Sequence, residues 1–409
     1  MKILFVHQNF PGQFPHLAPA LVKRGHQVLA LTAETNQRPS PVQVVKYRKP
    51  AAVKLEPRLT KMYAEVCERG MRAAFAARQL RERHGFVPDV IFGHPGWGET
   101  LFLREVWPEA KLLVYAELMY KTTGLDTDFD PEFAKSALEN RISTTARAAH
   151  LIQSIVQADA ALSPTEFQAA TFPPELRAKI TICHDGVDTA RLVPNPQASY
   201  TVPGTDLTLR AGDEVLTFIN RSLEPYRGYH SFMRALPDVL AARPEAQVLI
   251  IGEEGQSYGG APPEGSWKQK FLDEVKDRLD LNRVHFLGRV PYPDFISIMQ
   301  LGRVHAYLTY PFVLSWSLME AMAAGAMVVA SDTAPLREVI TDGVNGKLVD
   351  FFDIKGWSAA LTDALANPER YQPMRQAARA SIIEKYDLET RCLPRLIDFV
   401  ETAGGTLDR

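Results

Sequence analysis

Short apolar runs alternate with stretches of helical period along nearly all of the 409 residues, and no other feature limits the fold as much. "KILFVHQ" (2–8) reads as a strand, "FPHLAPALVKRG" (14–25) as a helix closed by Gly25, and "QVLALTA" (27–33) as a strand again. Further strands are expected at 89–95, 111–118, 159–165 and 179–186, with a long helix somewhere in 131–157. The strands are continuously apolar rather than alternating, which implies a mostly parallel sheet covered by helices on both faces. Pro, Gly, Asn and Ser interrupt the rhythm over 188–213. It then restarts with strands at 215–222, 246–254, 284–290, 304–311 and 326–333. The fold class is therefore α/β, with two doubly wound halves, and such sheets bind ligands beyond the carboxyl ends of their strands.

Composition removes several alternatives. Lys plus Arg number 46 against 48 Asp plus Glu, a balance that argues against a dedicated nucleic-acid binder. Three widely spaced cysteines, Cys67, Cys183 and Cys392, point to a reducing compartment rather than a disulfide framework, so a cytoplasmic location is expected. The apolar run at the start is only Ile3–Val6, which reads as a first strand and not a secretion signal. No apolar run approaches the ~20 residues that cross a bilayer. Residues 46–84 carry eleven Lys or Arg and four Glu, a net of +7. Two readings stand for them: a solvated helix face, or a peripheral contact with an anionic membrane surface or anionic acceptor.

The chemistry-bearing residues lie around two turns of the second half. "VLSWS" (313–317) joins a strand to a helix, and backbone N–H groups at such a helix start favour phosphate. Glu320 follows within the same apolar helix. It fits either an acid favoured by the helix dipole or an acceptor of two hydrogen bonds from a ribose diol. "NRSLEPYRG" (220–228) carries Arg221 and Arg227 around one turn, and two guanidiniums there suit a diphosphate.

Taken together, "GHQV", "HDGVD", Arg221 and Arg227-Gly228, "HFLGRV" and "LMEAMAAGAMVVASD…REVITDGVNGKLV" resemble the retaining GT-B glycosyltransferases of family 4. The resemblance spans nearly the whole chain and is strongest over 215–350. It implies two facing Rossmann-like domains with an interdomain cleft: an acceptor domain over 1–195 completed by a C-terminal helix over 387–409, a linker at 196–213, and a donor domain over 214–386. By the same resemblance Arg221 and Arg227 clamp the donor diphosphate and Glu320 holds the ribose. Residues Val313, Leu314, Ser315, Trp316 and Ser317 meet phosphates and sugar, while Arg289 and Val290 contact the base. His94 approaches the donor sugar, and Gly12, Gln13 and Phe14 belong to the loop that meets the acceptor.

The pattern departs from the family in one informative place. Eight residues before Glu320 the family has a second acid that binds hydroxyls of the transferred sugar; here Phe312 stands there. Sugar recognition is then expected from Ser315, Trp316 or Ser317. Glu117 stands close to where the family often has a histidine. The implied activity is retaining, metal-independent and cofactor-free transfer of a hexose-type sugar from a nucleotide-diphosphate sugar to an acceptor hydroxyl. Two alternatives remain open: a nucleotide-sugar epimerase or hydrolase on the same fold, and a non-catalytic nucleotide-sugar binder.

Overall fold

The computed structural model describes residues 1–51, 58–134 and 137–405, with the side chains of 58–60 set aside. The chain forms two compact units. The first comprises Met1–Asp128, Ala134–Gly186 and Glu389–Arg409; the second comprises Phe129–Phe133 and Val187–Leu388.

The first unit is built on seven parallel strands: β1 (Lys2–Val6), β2 (Gln27–Ala33), β3 (Gln43–Tyr47), β4 (Val90–Gly93), β5 (Lys111–Tyr115), β6 (Ala160–Ser163) and β7 (Ile180–Ile182). Their order is β3-β2-β1-β4-β5-β6-β7. The period of two along β1 shows why both faces are covered. Leu4 and Val6 enter a core with Ala73, Ala77 and Leu80 of the helix Arg58–His84. Ile3 and Phe5 enter another, with Phe14, Leu17 and Leu21 on one side and Phe399 and Val400 of the helix Leu393–Glu401. That last helix is the expected C-terminal return.

The second unit begins with a hairpin, β8 (Ser199–Thr201) against β9 (Thr208–Arg210), and continues with β10 (Val215–Ser222), β11 (Gln247–Glu253), β12 (Val284–Gly288), β13 (Val304–Tyr307), β14 (Met327–Ser331) and β15 (Lys347–Val349). The order is β12-β11-β10-β13-β14-β15, all parallel. Residues 196–213, expected as a linker, instead fold into this hairpin, because Tyr200, Val202 and Leu209 bury against the same core as Val215 and Ile219. The division falls at 186/187 rather than at 195, and residues 129–133 belong to the second unit although they lie far inside the first half of the sequence.

In each sheet the strand order reverses once, between β1 and β4 in the first and between β10 and β13 in the second. Loops on either side of such a reversal diverge and leave a crevice at the carboxyl end of the sheet. Every turn singled out from the sequence for catalysis or phosphate binding follows one of these four strands.

Candidate functional site

In the second unit the loop after β10 and the loop after β13 are laced together by Arg227. The residue sits in a short 3-10 turn, Pro225–Arg227, ended by Gly228 at φ +65°. A Cβ at Gly228 would collide with Leu308, so glycine is required on both counts. Arg227 is only 5% exposed. One guanidinium nitrogen donates to Thr309 Oγ1 and to the carbonyl of Val313, each at 2.9 Å. Aromatic rings complete the socket, with Tyr258 5.2 Å and Phe312 5.7 Å from the guanidinium carbon. Such a cation is held in one orientation before any ligand arrives, which is the condition for strong stabilisation of a developing anion. Arg221, at the end of β10, is exposed.

Phe312 does not present itself to a sugar. It is 4% exposed and packs edge-on against Tyr226 at 5.6 Å and Tyr258 at 4.8 Å between ring centroids. Its place in the sequence is that of a sugar-binding acid, but its physical place is one wall of the arginine socket. The expected polar substitutes fare unequally. Ser315 caps the helix Trp316–Ala324 by accepting from the Ser317 N–H, and its own N–H donates to Tyr307 Oη at 2.7 Å. Ser317 is buried and its hydroxyl donates to the carbonyl of Ile219. Val313 spends its carbonyl on Arg227, and Leu314 packs on the core. Of the five loop residues Trp316 is the exposed one.

Glu320 lies in the second turn of that helix, half-buried, and accepts from Tyr292 Oη at 3.2 Å. Burial pushes its carboxyl up to about 7, against the opposing effect of the Tyr292 hydrogen bond. Arg289 is exposed just beyond Gly288, while Val290 packs partly on the core.

Sequence reasoning missed Glu224. It is fully buried in the turn between the two arginines and accepts from the N–H groups of Ser257 at 3.2 Å and Tyr258 at 3.0 Å. Burial pushes its carboxyl up to about 7, opposed by these hydrogen bonds and by Arg227 and Arg221. Its effect is to hold the loop after β11 so that Tyr258 lies against Arg227. The signal was available: an acid set between two arginines in a single turn, "RSLEPYR".

In the first unit the loops after β1 and β4 bring Gly12, Gln13 and His94 together with Glu117, which follows β5. His94 ends β4 and caps the following turn, its Nδ1 accepting from the Gly96 N–H at 3.1 Å. The ring proton is thereby assigned to Nε2, which lies 3.5 Å from Glu117 Oε2. The ring is sandwiched by Tyr115 at 5.7 Å and Trp97 at 4.8 Å. Gln13 Nε2 donates to the other Glu117 oxygen at 3.1 Å. Gly12, at φ +54°, lies flat on the ring of His7, where a Cβ would clash. Burial, and next the neighbouring His94, hold His7 well below the usual imidazole range. Phe14, expected beside the acceptor, turns into the core instead, 1% exposed with Phe5 and Phe92 at 4.8 and 4.9 Å.

Comparison with known proteins bears on the family and the fold. Residues 24–192 match the family described as "Glycosyl transferase family 4 group", and residues 206–381 match "Glycosyl transferases group 1". The chain is 22% identical to a glycogen synthase of Mycobacterium tuberculosis over 418 residues, covering 95% of this chain and 92% of that protein. A phosphatidyl-myo-inositol mannosyltransferase of Mycolicibacterium smegmatis is 33% identical over 166 residues, 39% of this chain and 38% of that one. Among solved structures, sucrose-phosphate synthase from Thermosynechococcus elongatus superposes with a TM-score of 0.72 at 16% identity, covering 99% of this chain and 100% of that one. HepE of Anabaena, solved with UDP and glucose, gives 0.67 at 15% identity, covering 98% and 100%.

Proposed function

The chain belongs to the group 1, family 4 glycosyltransferases and has their GT-B fold, and from that premise we propose that it moves a hexose-type sugar from a nucleotide-diphosphate sugar to an acceptor hydroxyl with retention of anomeric configuration. The observation that carries this reading is Arg227 in its socket at the carboxyl end of β10, a buried, pre-oriented cation with exposed Arg221 six residues before it. HepE, similar in fold, was solved with UDP and with UDP-glucose, which supports a nucleotide-sugar donor.

In the proposed reaction the bond between the anomeric carbon and the diphosphate oxygen breaks as the acceptor oxygen bonds to that carbon on the same face. The acceptor proton passes to the departing phosphate oxygen. Negative charge on the diphosphate grows through this step, so Arg227 and Arg221 stabilise the transition state more than the ground state. Glu320, once ionised, accepts from the ribose diol. Arg289 and Val290 lie along the base, and the Ser315 end of the helix Trp316–Ala324 faces the phosphates. His94, with Gly12 and Gln13, serves the donor sugar and the acceptor. The proposed reaction is metal-independent and cofactor-free, with the guanidiniums of Arg227 and Arg221 in the role of counter-cation.

Incubation with UDP-, GDP- and ADP-sugars in the absence of acceptor tests the reading. Slow hydrolysis of one donor with the anomer retained supports transfer. Inversion at C2 of the sugar would make the protein an epimerase, and binding without turnover in any acceptor extract would make it a binder.

Among the described residues no helix is long and apolar enough to cross a membrane. The reading includes peripheral contact through the basic stretch 46–84, of which 52–57 lie outside the described residues. Co-sedimentation with phosphatidylglycerol vesicles but not with phosphatidylcholine vesicles is the expected result; equal recovery with both would remove the electrostatic part of this reading.

A further inference from the structure

Residues 129–133, "FDPEF", come from the first half of the sequence but pack entirely within the second unit. Phe129 and Phe133 anchor the two ends. Phe129 meets Tyr310, Phe351 and Phe352, each 5.2 Å between centroids, and Phe133 meets Trp267 at 5.2 Å and His230 at 5.3 Å. Between them Asp130 is 3% exposed. One of its oxygens, Oδ2, accepts from Tyr310 Oη at 2.7 Å and lies 3.0 Å from His230 Nε2. The other accepts from the N–H of Glu132 at 2.9 Å.

The two partners of that oxygen stand on the two loops that make the Arg227 socket. His230 is three residues beyond Arg227, in the first turn of the helix Tyr229–Ala242. Tyr310 follows Thr309, the residue whose hydroxyl accepts from Arg227. Tyr310 also donates its N–H to the carbonyl of Tyr226 at 3.0 Å, and the two rings lie 4.8 Å apart. A single carboxylate oxygen therefore bridges the loop after β10 to the loop after β13. Burial alone would raise the Asp130 carboxyl, but the hydrogen bonds from His230 and Tyr310 win and hold it below the usual range, so it is an anion accepting from both.

We infer that Asp130 is a positioning residue for diphosphate recognition: by bridging His230 and Tyr310, the segment 129–133 holds the Arg227 socket in register. Because Asp130 meets both loops, a displacement of 129–133 changes the geometry around Arg227. The inference rests on the reading of the second unit as the donor site.

Calorimetry on the full chain with UDP, GDP and ADP, and with uridine, guanosine and adenosine, tests it together with kcat for the donor found. Asp130→Asn keeps the shape but removes the charge and one of the two acceptor oxygens, so its NH2 must face either the Tyr310–His230 pair or the Glu132 N–H, both of which are donors. It is expected to weaken the diphosphate about tenfold and lower kcat, while nucleoside affinity stays within about twofold. Arg227→Ala added to Asp130→Asn should cost less than Arg227→Ala alone, because the two act through one socket. Glu132→Gln loosens the same segment at its Arg234 ion pair, 2.7 Å, and is expected to leave the diphosphate-to-nucleoside ratio as in the unaltered protein. Equal losses for both ligand classes in Asp130→Asn and Glu132→Gln, tracking a common fall in Tm, would reduce the segment to a structural clip and overturn the inference. Unchanged diphosphate binding in Asp130→Asn beside a full effect of Arg227→Ala would overturn it alone. Failure of the unaltered protein to bind any of the three diphosphates would overturn the donor-site reading and this inference together.

Discussion

The two units place their candidate residues at the same topological position and fill it with different chemistry. After β10 and β13 the second unit offers a buried cation whose hydrogen bonds, ring contacts and supporting acid are already made within the protein. After β1 and β4 the first unit offers Gln13 and a histidine whose Nε2 faces Glu117, a half-exposed acid that follows β5 and is steadied by Gln13. A diphosphate is the same anion whatever sugar it carries, and a fixed arginine matches it. A hydroxylated acceptor varies in shape, and acceptor–donor groups on loops can meet it without buried charge. On the proposed reading, the buried cation serves the diphosphate and the more open groups serve the acceptor.

If that contrast is correct, Arg227→Ala should give the largest loss. Removing one pre-oriented donor in a site of this kind lowers kcat by about 10²–10³. Affinity for the free nucleoside should change little, since a nucleoside has no phosphate. Steady-state kinetics beside calorimetry read both, and equal losses would place Arg227 in ground-state binding only. Arg221→Ala, at an exposed position, should lose less and show the stronger dependence on salt.

Glu117→Ala probes the other side of the comparison. It should raise the acceptor KM by roughly tenfold, the worth of one hydrogen bond to a charged group, with affinity for the free nucleoside diphosphate unchanged. A matching loss in nucleoside-diphosphate affinity would mean that the two ends are not specialised as described.

Glu320→Gln is expected to be milder, and its signature lies in pH. With the carboxyl pushed up to about 7, the form that accepts from a ribose diol fills in as pH rises through that value. Nucleoside affinity should therefore rise several-fold between about pH 6 and 8 and become flat in Glu320→Gln. A slope that survives the substitution would assign the titration elsewhere.

The smallest effect is on stability. Glu224 and Glu320 in the folded protein hold their protons up to about 7, whereas the ordinary carboxyl releases its proton near 4.5. The folded state then binds more protons than the unfolded one between those values, so stability falls as pH rises through that window. Tm measured from pH 4.5 to 7.5 should decline less steeply in the Glu224→Gln, Glu320→Gln double variant.

Most of the fold was legible because buried parallel strands write themselves as continuous apolar runs: β2 over 27–33 and β10 over 215–222 fall where the sequence put them. What escaped has common physical causes. The edge strands β3, half-exposed, and β15, three residues long, carry too little apolar signal. The hairpin β8–β9 has short strands joined through Pro203-Gly204 and reads as a connection, since only tertiary contact shows Tyr200 and Leu209 entering a core. At the site, residue types announced Arg221, Arg227 and Glu320. They could not announce that Phe312 walls the socket, that Phe14 turns inward, or that Asp130 reaches it from 97 positions before Arg227, because those facts depend on which distant segments fold together.

The central claim is same-face transfer supported by the clamped diphosphate. Proton NMR of the glycosidic product formed from an α-linked nucleotide-diphosphate sugar tests it most directly. The small anomeric coupling of an α-linked product is expected for a gluco- or galacto-configured donor. A β-linked product, with inversion at the anomeric carbon, would contradict it.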